Sequence, residues 1–148
     1  MIFSIAITGP TASGKTALSI SLAEALSGEL ISCDSMQIYQ GMDIGTAKAT
    51  AAEQKRAKHH MIDFLSPLEG YSAEVYRTSA TKCVRDVSAR GLLPIFVGGT
   101  GLYIDSVSRG VSHSAPESDP AYRDEILAGI KTDEDITALW ERLRAVDP

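Results

Sequence analysis

Gly9-Pro10-Thr11-Ala12-Ser13-Gly14-Lys15-Thr16 is the stretch on which the fold turns. It satisfies G-x-x-x-x-G-K-[ST], the phosphate-binding P-loop, and chance would place such an octapeptide in a chain of this length only about once in 200 cases. Residues 2–8, Ile-Phe-Ser-Ile-Ala-Ile-Thr, form a short apolar run that predicts a buried parallel strand, ended by Gly9-Pro10. From Lys15 onward, Leu18, Leu22, Ala25 and Leu26 recur at helical spacing until Ser27-Gly28 stops the helix. In a strand, glycine loop and helix of this kind, loop N–H groups and the helix N-terminus converge on phosphate oxygens. Residues Gly9, Pro10, Thr11, Ala12, Ser13, Gly14, Lys15 and Thr16 are therefore the expected phosphate site. Gly9 and Gly14 admit close backbone approach, and Lys15 brings a positive charge. The Thr16 hydroxyl suits Mg²⁺, which makes it the candidate metal ligand. The alternative is a glycine turn with a purely structural role.

The rest of the chain continues the alternation. Residues 29–33, Glu-Leu-Ile-Ser-Cys, predict a second strand that delivers Asp34 and Ser35 to the sheet edge where ligands gather in open α/β folds. Residues 36–48, with Gly41 and Gly45, read as a loop. A short polar helix follows from about Ala51 to Lys58, then a third strand over His59 to Phe64. Ser72 caps a helix whose inner stripe is Val75, Ala80, Cys83, Val84 and Val87, ending at Gly91. Residues 92–97 form a strand with Pro94 near its start, where a missing N–H is tolerated, and Gly98-Gly99-Thr100-Gly101 turns it into another helix. The expected fold is α/β, P-loop NTPase-like, with a mostly parallel sheet covered by helices on both faces. After Gly110 a connector rich in Ser, Pro and charge leads to Asp119-Pro120, an N-cap and helix-start pair. Thr132 with Asp135 then resembles a capping box before Ile136, Leu139 and Leu143. The domains expected are a core over 1–112 and the start of an all-α insertion over 113–148.

Composition narrows the function classes. The 148 residues suffice for one hydrophobic core, with 44% hydrophobic and 22% charged side chains. A net charge of −5 argues against holding nucleic acid by bulk electrostatics, so any RNA contact must be local. The densest basic patch, Lys55, Arg56, Lys58, His59 and His60, reads most simply as a solvated helix face. Cys33 and Cys83 show no metal-ligand spacing and read as reduced thiols. Without a signal peptide or an apolar run long enough to span a bilayer, a cytoplasmic protein is expected.

A P-loop alone does not name a reaction, because ATP, GTP and prenyl diphosphates all present linked phosphates. Asp34 stands across the same sheet edge and could act as a general base, coordinate a metal or merely cap a turn. Four segments, GPTASGKT at 9–16, ISCDSMQIYQGMDIGTAK at 31–48, HHMIDFLSPLEGYSAEVY at 59–76 and PIFVGGTGLYI at 94–104, together resemble the tRNA dimethylallyltransferase family. Their order and spacing match, densely over about residues 3–110 and loosely beyond.

That resemblance implies transfer of a dimethylallyl group from dimethylallyl diphosphate to the exocyclic amine of the adenosine 3′ of a tRNA anticodon, with Mg²⁺ as cofactor. It implies that the loop from Thr11 to Thr16 holds the diphosphate, that Lys15 and Thr16 act on the leaving group, and that Asp34 is the general base. It also implies that Asp34, Ser35, Met36, Gln37 and Thr100 lie against tRNA, whose target base must be extruded to reach them. Tyr39 and Tyr103 could offer stacking surfaces or serve as packing. The family's later segments, including a tRNA-contacting Gln-Arg stretch, a channel arginine and the last sheet strand, are absent. A truncated chain that does not prenylate tRNA by itself at a useful rate is therefore expected. A P-loop small-molecule kinase and a non-catalytic diphosphate-binding remnant are the other readings.

Overall fold

Ile5–Thr8 (β1), Gly28–Ser32 (β2), His59–His60 (β3) and Leu93–Gly98 (β4) form one parallel sheet in the computed structural model, in the order β1-β4-β2-β3. The structure describes residues 2–109 and 119–147. The expected connector starting at Gly110 lies almost entirely outside them. Lys15–Leu26 (α1), Ala51–Arg56 (α2), Ala73–Ala89 (α3) and Gly101–Ser108 (α4) cross between the strands.

Strand alternation builds two cores. Leu30 and Ile95 point to one face, where they meet Ile20 and Ala23 of α1 and Ala57 just after α2. Their neighbours Ile31 and Phe96 point to the other face and meet Tyr76 and Ala80 of α3 and Tyr103 of α4. Because successive strand residues face opposite ways, a helix layer on each face is what these apolar strands require.

Several local expectations change. β1 is an edge strand with Ala6 and Thr8 exposed, since only β4 pairs with it among the described residues. The inner face of α1 is Ser19, Ile20 and Ala23, whereas Leu18 and Leu26 are exposed. The helix is apolar on nearly every side, so periodicity could not choose the face. Val75 is likewise exposed, and Tyr76 is the anchor of α3. The third strand stops after two residues because Met61 and Asp63 take left-handed backbone angles, φ 59 and 56, which no ladder accommodates. Pro94 is the second residue of β4, near its start as expected, and breaks no pairing with β1, whose register begins one residue later at Ile5 opposite Ile95.

Pro120–Gly129 (α5) and Asp133–Val146 (α6) belong to a second compact unit; the chain divides into Met1–His113 and Ser114–Pro148. Asp119 Oδ1 accepts the Tyr122 N–H at 3.0 Å, and Thr132 with Asp135 makes a reciprocal capping box. Among the described residues no helix is long and apolar enough to cross a membrane.

Candidate functional site

The C-terminal ends of β1, β4 and β2 lie side by side, with Thr8 opposite Gly98 and Ser32 opposite Val97. Each strand therefore releases a different functional segment at one edge. From β1 comes the glycine loop, from β4 the Gly98-Gly99-Thr100 turn, and from β2 the segment carrying Asp34. The close approach depends on Gly98, where a Cβ would stand 2.4 Å from the Cys33 carbonyl oxygen. No side chain fits there.

The loop from Gly9 to Gly14 passes through left-handed conformations at Ala12 (φ 64) and Gly14 (φ 83), which turn its backbone before α1 begins. Gly14 is the N-cap of α1 and makes no side-chain cap bond, so the helix N-terminus opens into the cavity. The Lys15 Nζ donates to the Gly9 and Pro10 carbonyls at 2.7 and 2.6 Å. It thereby lies over the loop whose N–H groups supply the remaining positive field.

One cavity of about 410 Å³ unites Thr11 to Thr16 with Asp34 and Gln37. Asp34 Oδ1 accepts the N–H groups of Met36 at 2.9 Å and Gln37 at 3.3 Å, which fixes the carboxylate in an Asx turn. Ser35 is held by Thr100, whose hydroxyl accepts the Ser35 N–H at 3.1 Å. Met36 is exposed and lines an adjoining cavity of about 620 Å³, together with Met42, Ile44 and the shared residues Thr11 and Asp34. Gln37 Nε2 donates to the Thr46 carbonyl at 3.0 Å. Gly9 and Pro10 lie behind the loop beside Gly99.

Residues that the sequence did not propose for the site complete the walls. Thr46 and Ala47 line both cavities, and Ser32, Glu53 and His59 line the first. His59 Nδ1 donates to the Ala57 carbonyl at 2.8 Å, and burial pushes its pKa below the ordinary histidine value. Its imidazole is therefore neutral near pH 7. The 41–47 segment is tied down by Lys48, 8% exposed, whose Nζ reaches the Tyr39 carbonyl, Asp43 and Asp63, each at 2.7 Å. Burial lowers the Lys48 pKa, but the hydrogen bonds to Asp43 and Asp63 outweigh it and the net shift is upward. Gly41 and Gly45 signalled a loop, yet no local spacing connected that loop to Gly9–Thr16.

Other candidates take structural roles. Tyr103 is buried and stacks on Tyr76 with centroids 3.9 Å apart, so it packs the core. Tyr39 is half-buried and bridges to Leu65. In the basic patch, Arg56 pairs with Glu24 at 2.8 Å, and His60 and Lys58 lie 2.6 and 3.9 Å from Glu29. Burial pushes the Cys33 thiol up to about 11, which keeps it protonated and unreactive.

The described residues contain no group of three or more His, Cys, Asp or Glu side chains suited to a metal. A protein-only metal cage is thus missing there. The Thr16 hydroxyl and the Asp34 carboxylate nevertheless place hard oxygen donors on one cavity, a donor set that fits Mg²⁺.

A family profile described as IPP transferase matches residues 37–148. The tRNA dimethylallyltransferase of Bacillus pumilus is 47% identical over 97% of this chain and 45% of its own length. That of Roseiflexus sp. is 48% identical over 100% of this chain and 48% of its own. The crystal structure of the full-length tRNA isopentenylpyrophosphate transferase from Bacillus halodurans superposes with a TM-score of 0.76 at 43% identity, covering 100% of this chain and 48% of that one. A eukaryotic dimethylallyltransferase acting on tRNA gives 0.72 at 32% identity, covering 83% and 31%. The chain spans about half the length of the curated relatives it matches.

Proposed function

The chain belongs to the IPP transferase family, and on that premise we propose that it carries the donor-binding and catalytic residues of a tRNA dimethylallyltransferase. The donor is dimethylallyl diphosphate and the acceptor is N6 of the adenosine 3′ of the anticodon. The observation that carries this reading is the shared cavity, in which a phosphate loop and a fixed carboxylate face the same space.

Loop N–H groups from Thr11 to Thr16 and the α1 N-terminus hold the diphosphate, and Lys15 exchanges its loop carbonyls for phosphate oxygens. Thr16, with a diphosphate oxygen, would hold Mg²⁺, which when bound offsets the negative charge developing on the leaving group. Asp34 keeps Oδ1 on the backbone and offers Oδ2 to the adenine amine. As nitrogen attacks the allylic carbon, the C–O bond breaks, the diphosphate departs with the electron pair, and Asp34 takes the amine proton. Ser35, Met36, Gln37 and Thr100 face the acceptor strand in this reading. The helices α5 and α6 would begin the family's all-α insertion.

Titration calorimetry with Mg²⁺ tests the proposal on the chain itself. Dimethylallyl diphosphate is expected to bind more tightly than ATP. Lys15→Ala should weaken it by about 1.5 to 3 kcal/mol, the range for hydrogen bonds to charged groups. Tighter binding of ATP would favour a kinase, and unchanged affinity in Lys15→Ala would remove the loop from the site.

A further inference from the structure

We propose that the Tyr76 hydroxyl is a positioning group for the transfer reaction: from the core side of the sheet it fixes the end of β2, and with it the Asp34 carboxylate, against the turn that carries Thr100. That role rests on Asp34 being the base of the reaction proposed above, and it names what holds the base in place.

The ends of the strands create the need for such a group. Cys33 turns both its N–H and its C=O towards β4, donating to the Val97 carbonyl at 2.7 Å and accepting the Thr100 N–H at 3.0 Å. Backbone groups of successive strand residues point to opposite sides, so the Ser32 carbonyl points towards β3, as does the Leu30 N–H, which donates to the Lys58 carbonyl at 2.9 Å. That strand has already ended at His60, opposite Ile31. Ser32 is 3% exposed, and a carbonyl left unpaired there would be costly. The Tyr76 hydroxyl, fully buried on α3, donates to it at 3.0 Å and takes the place of a strand partner.

A second bond ties in the next residue. Cys33 Sγ lies 3.0 Å from the Tyr76 oxygen. Because a carbonyl can only accept, the phenol proton is committed to Ser32, and the thiol donates to the phenol oxygen. The two residues immediately before Asp34 are thus bonded to one side chain of α3. Its ring meanwhile stacks on Tyr103 with centroids 3.9 Å apart, and the Tyr103 N–H donates to the Thr100 carbonyl at 3.0 Å. On the far side of Asp34 the Thr100 hydroxyl holds the Ser35 N–H. Tyr76 therefore supports both arms that meet at the base, the Asp34 segment through its hydroxyl and the Thr100 turn through its ring. Tyr76 does not itself line the phosphate cavity, so it acts through Asp34 and not on the substrate.

The test sets Tyr76→Phe, which keeps the ring and its stack, beside Val87→Ala, which opens a cavity at another fully buried position about 16 Å further along α3. In the 148-residue chain, amide exchange at Ser35 and Thr100 should quicken about 10-fold in Tyr76→Phe relative to the amides of α1, and stay native-like in Val87→Ala. Calorimetry with Mg²⁺ should give native dimethylallyl diphosphate affinity in Tyr76→Phe, because the phosphate loop hangs from β1 and α1. In a full-length transferase bearing this segment, single-turnover prenylation should slow about 10-fold with donor affinity held, the signature of a displaced base. A native rate in Tyr76→Phe, or equal effects of the two variants on exchange and rate, would overturn the positioning role and leave the reaction standing. Failure of dimethylallyl diphosphate to bind the native chain would instead overturn the proposed reaction and this inference with it.

Discussion

Thr100 holds Ser35 through two strands' ends at once: its hydroxyl accepts the Ser35 N–H at 3.1 Å, while its own N–H donates to the Cys33 carbonyl at 3.0 Å. Asp34 sits between these two anchored residues. Thr100→Val keeps the shape and removes the acceptor, so stability should fall by about 1 kcal/mol, the usual net worth of such a bond. Urea unfolding measures it, and Thr100→Ser should restore most of the loss. An unaltered midpoint in Thr100→Val would mean that the turn after β2 holds itself.

Asp34→Asn separates binding from chemistry. The amide oxygen can still accept the Met36 and Gln37 N–H groups, so the turn and the affinity for dimethylallyl diphosphate should persist. The proton acceptor is gone, and the rate should drop about 10²- to 10⁴-fold. Single-turnover prenylation in a full-length transferase bearing this segment is the measurement. A parental rate would exclude Asp34 as the base.

Glu29 makes stability depend on acid. Its carboxylate accepts from Arg90 Nη1 and Nη2 at 2.5 and 2.6 Å and from His60 Nε2 at 2.6 Å. The Arg90 hydrogen bonds, against an opposing effect of burial, hold its pKa at about 2 in place of 4.5. A lowered carboxylate pKa favours the folded state above the ordinary value, and that contribution vanishes as pH falls from 4.5 towards 2. Its size is at most about 3 kcal/mol. Glu29→Gln should therefore flatten the loss of stability over that window in urea unfolding at several pH values. Parallel losses in the variant and native chain would assign the acid sensitivity elsewhere.

Gly98→Ala should be among the most damaging single changes. The added Cβ meets backbone atoms of Cys33 at 2.4 to 2.9 Å, and neither strand can give way without opening the sheet. A loss of about 3 kcal/mol or more is expected. Gly101→Ala is the control, since a methyl group there would meet nothing within 4 Å and helix propensity favours alanine. Thermal midpoints should fall for the first and hold or rise for the second.

The glycine turn from β1 into α1 was legible because it lies in contiguous residues, where glycine freedom acts locally. Caps were legible for the same reason: Ser72, Asp119 and Thr132 bond to N–H groups three residues ahead. The fold class followed from alternating strands and helices. Which face of α1 turns inward was not readable, because Leu18 and Ile20 are equally apolar and only the positions of Leu30 and Ile95 distinguish them. Nor did any local signal bury Lys48, whose partner Asp63 lies 15 residues away and takes a backbone angle that ends β3. The insertion of β4 between β1 and β2 is likewise a tertiary outcome, and it brings Lys15 and Asp34 to one cavity. Local conformation is set by neighbours in the chain, whereas the choice among apolar faces and strand neighbours is made by packing between segments that meet only once the sheet has formed.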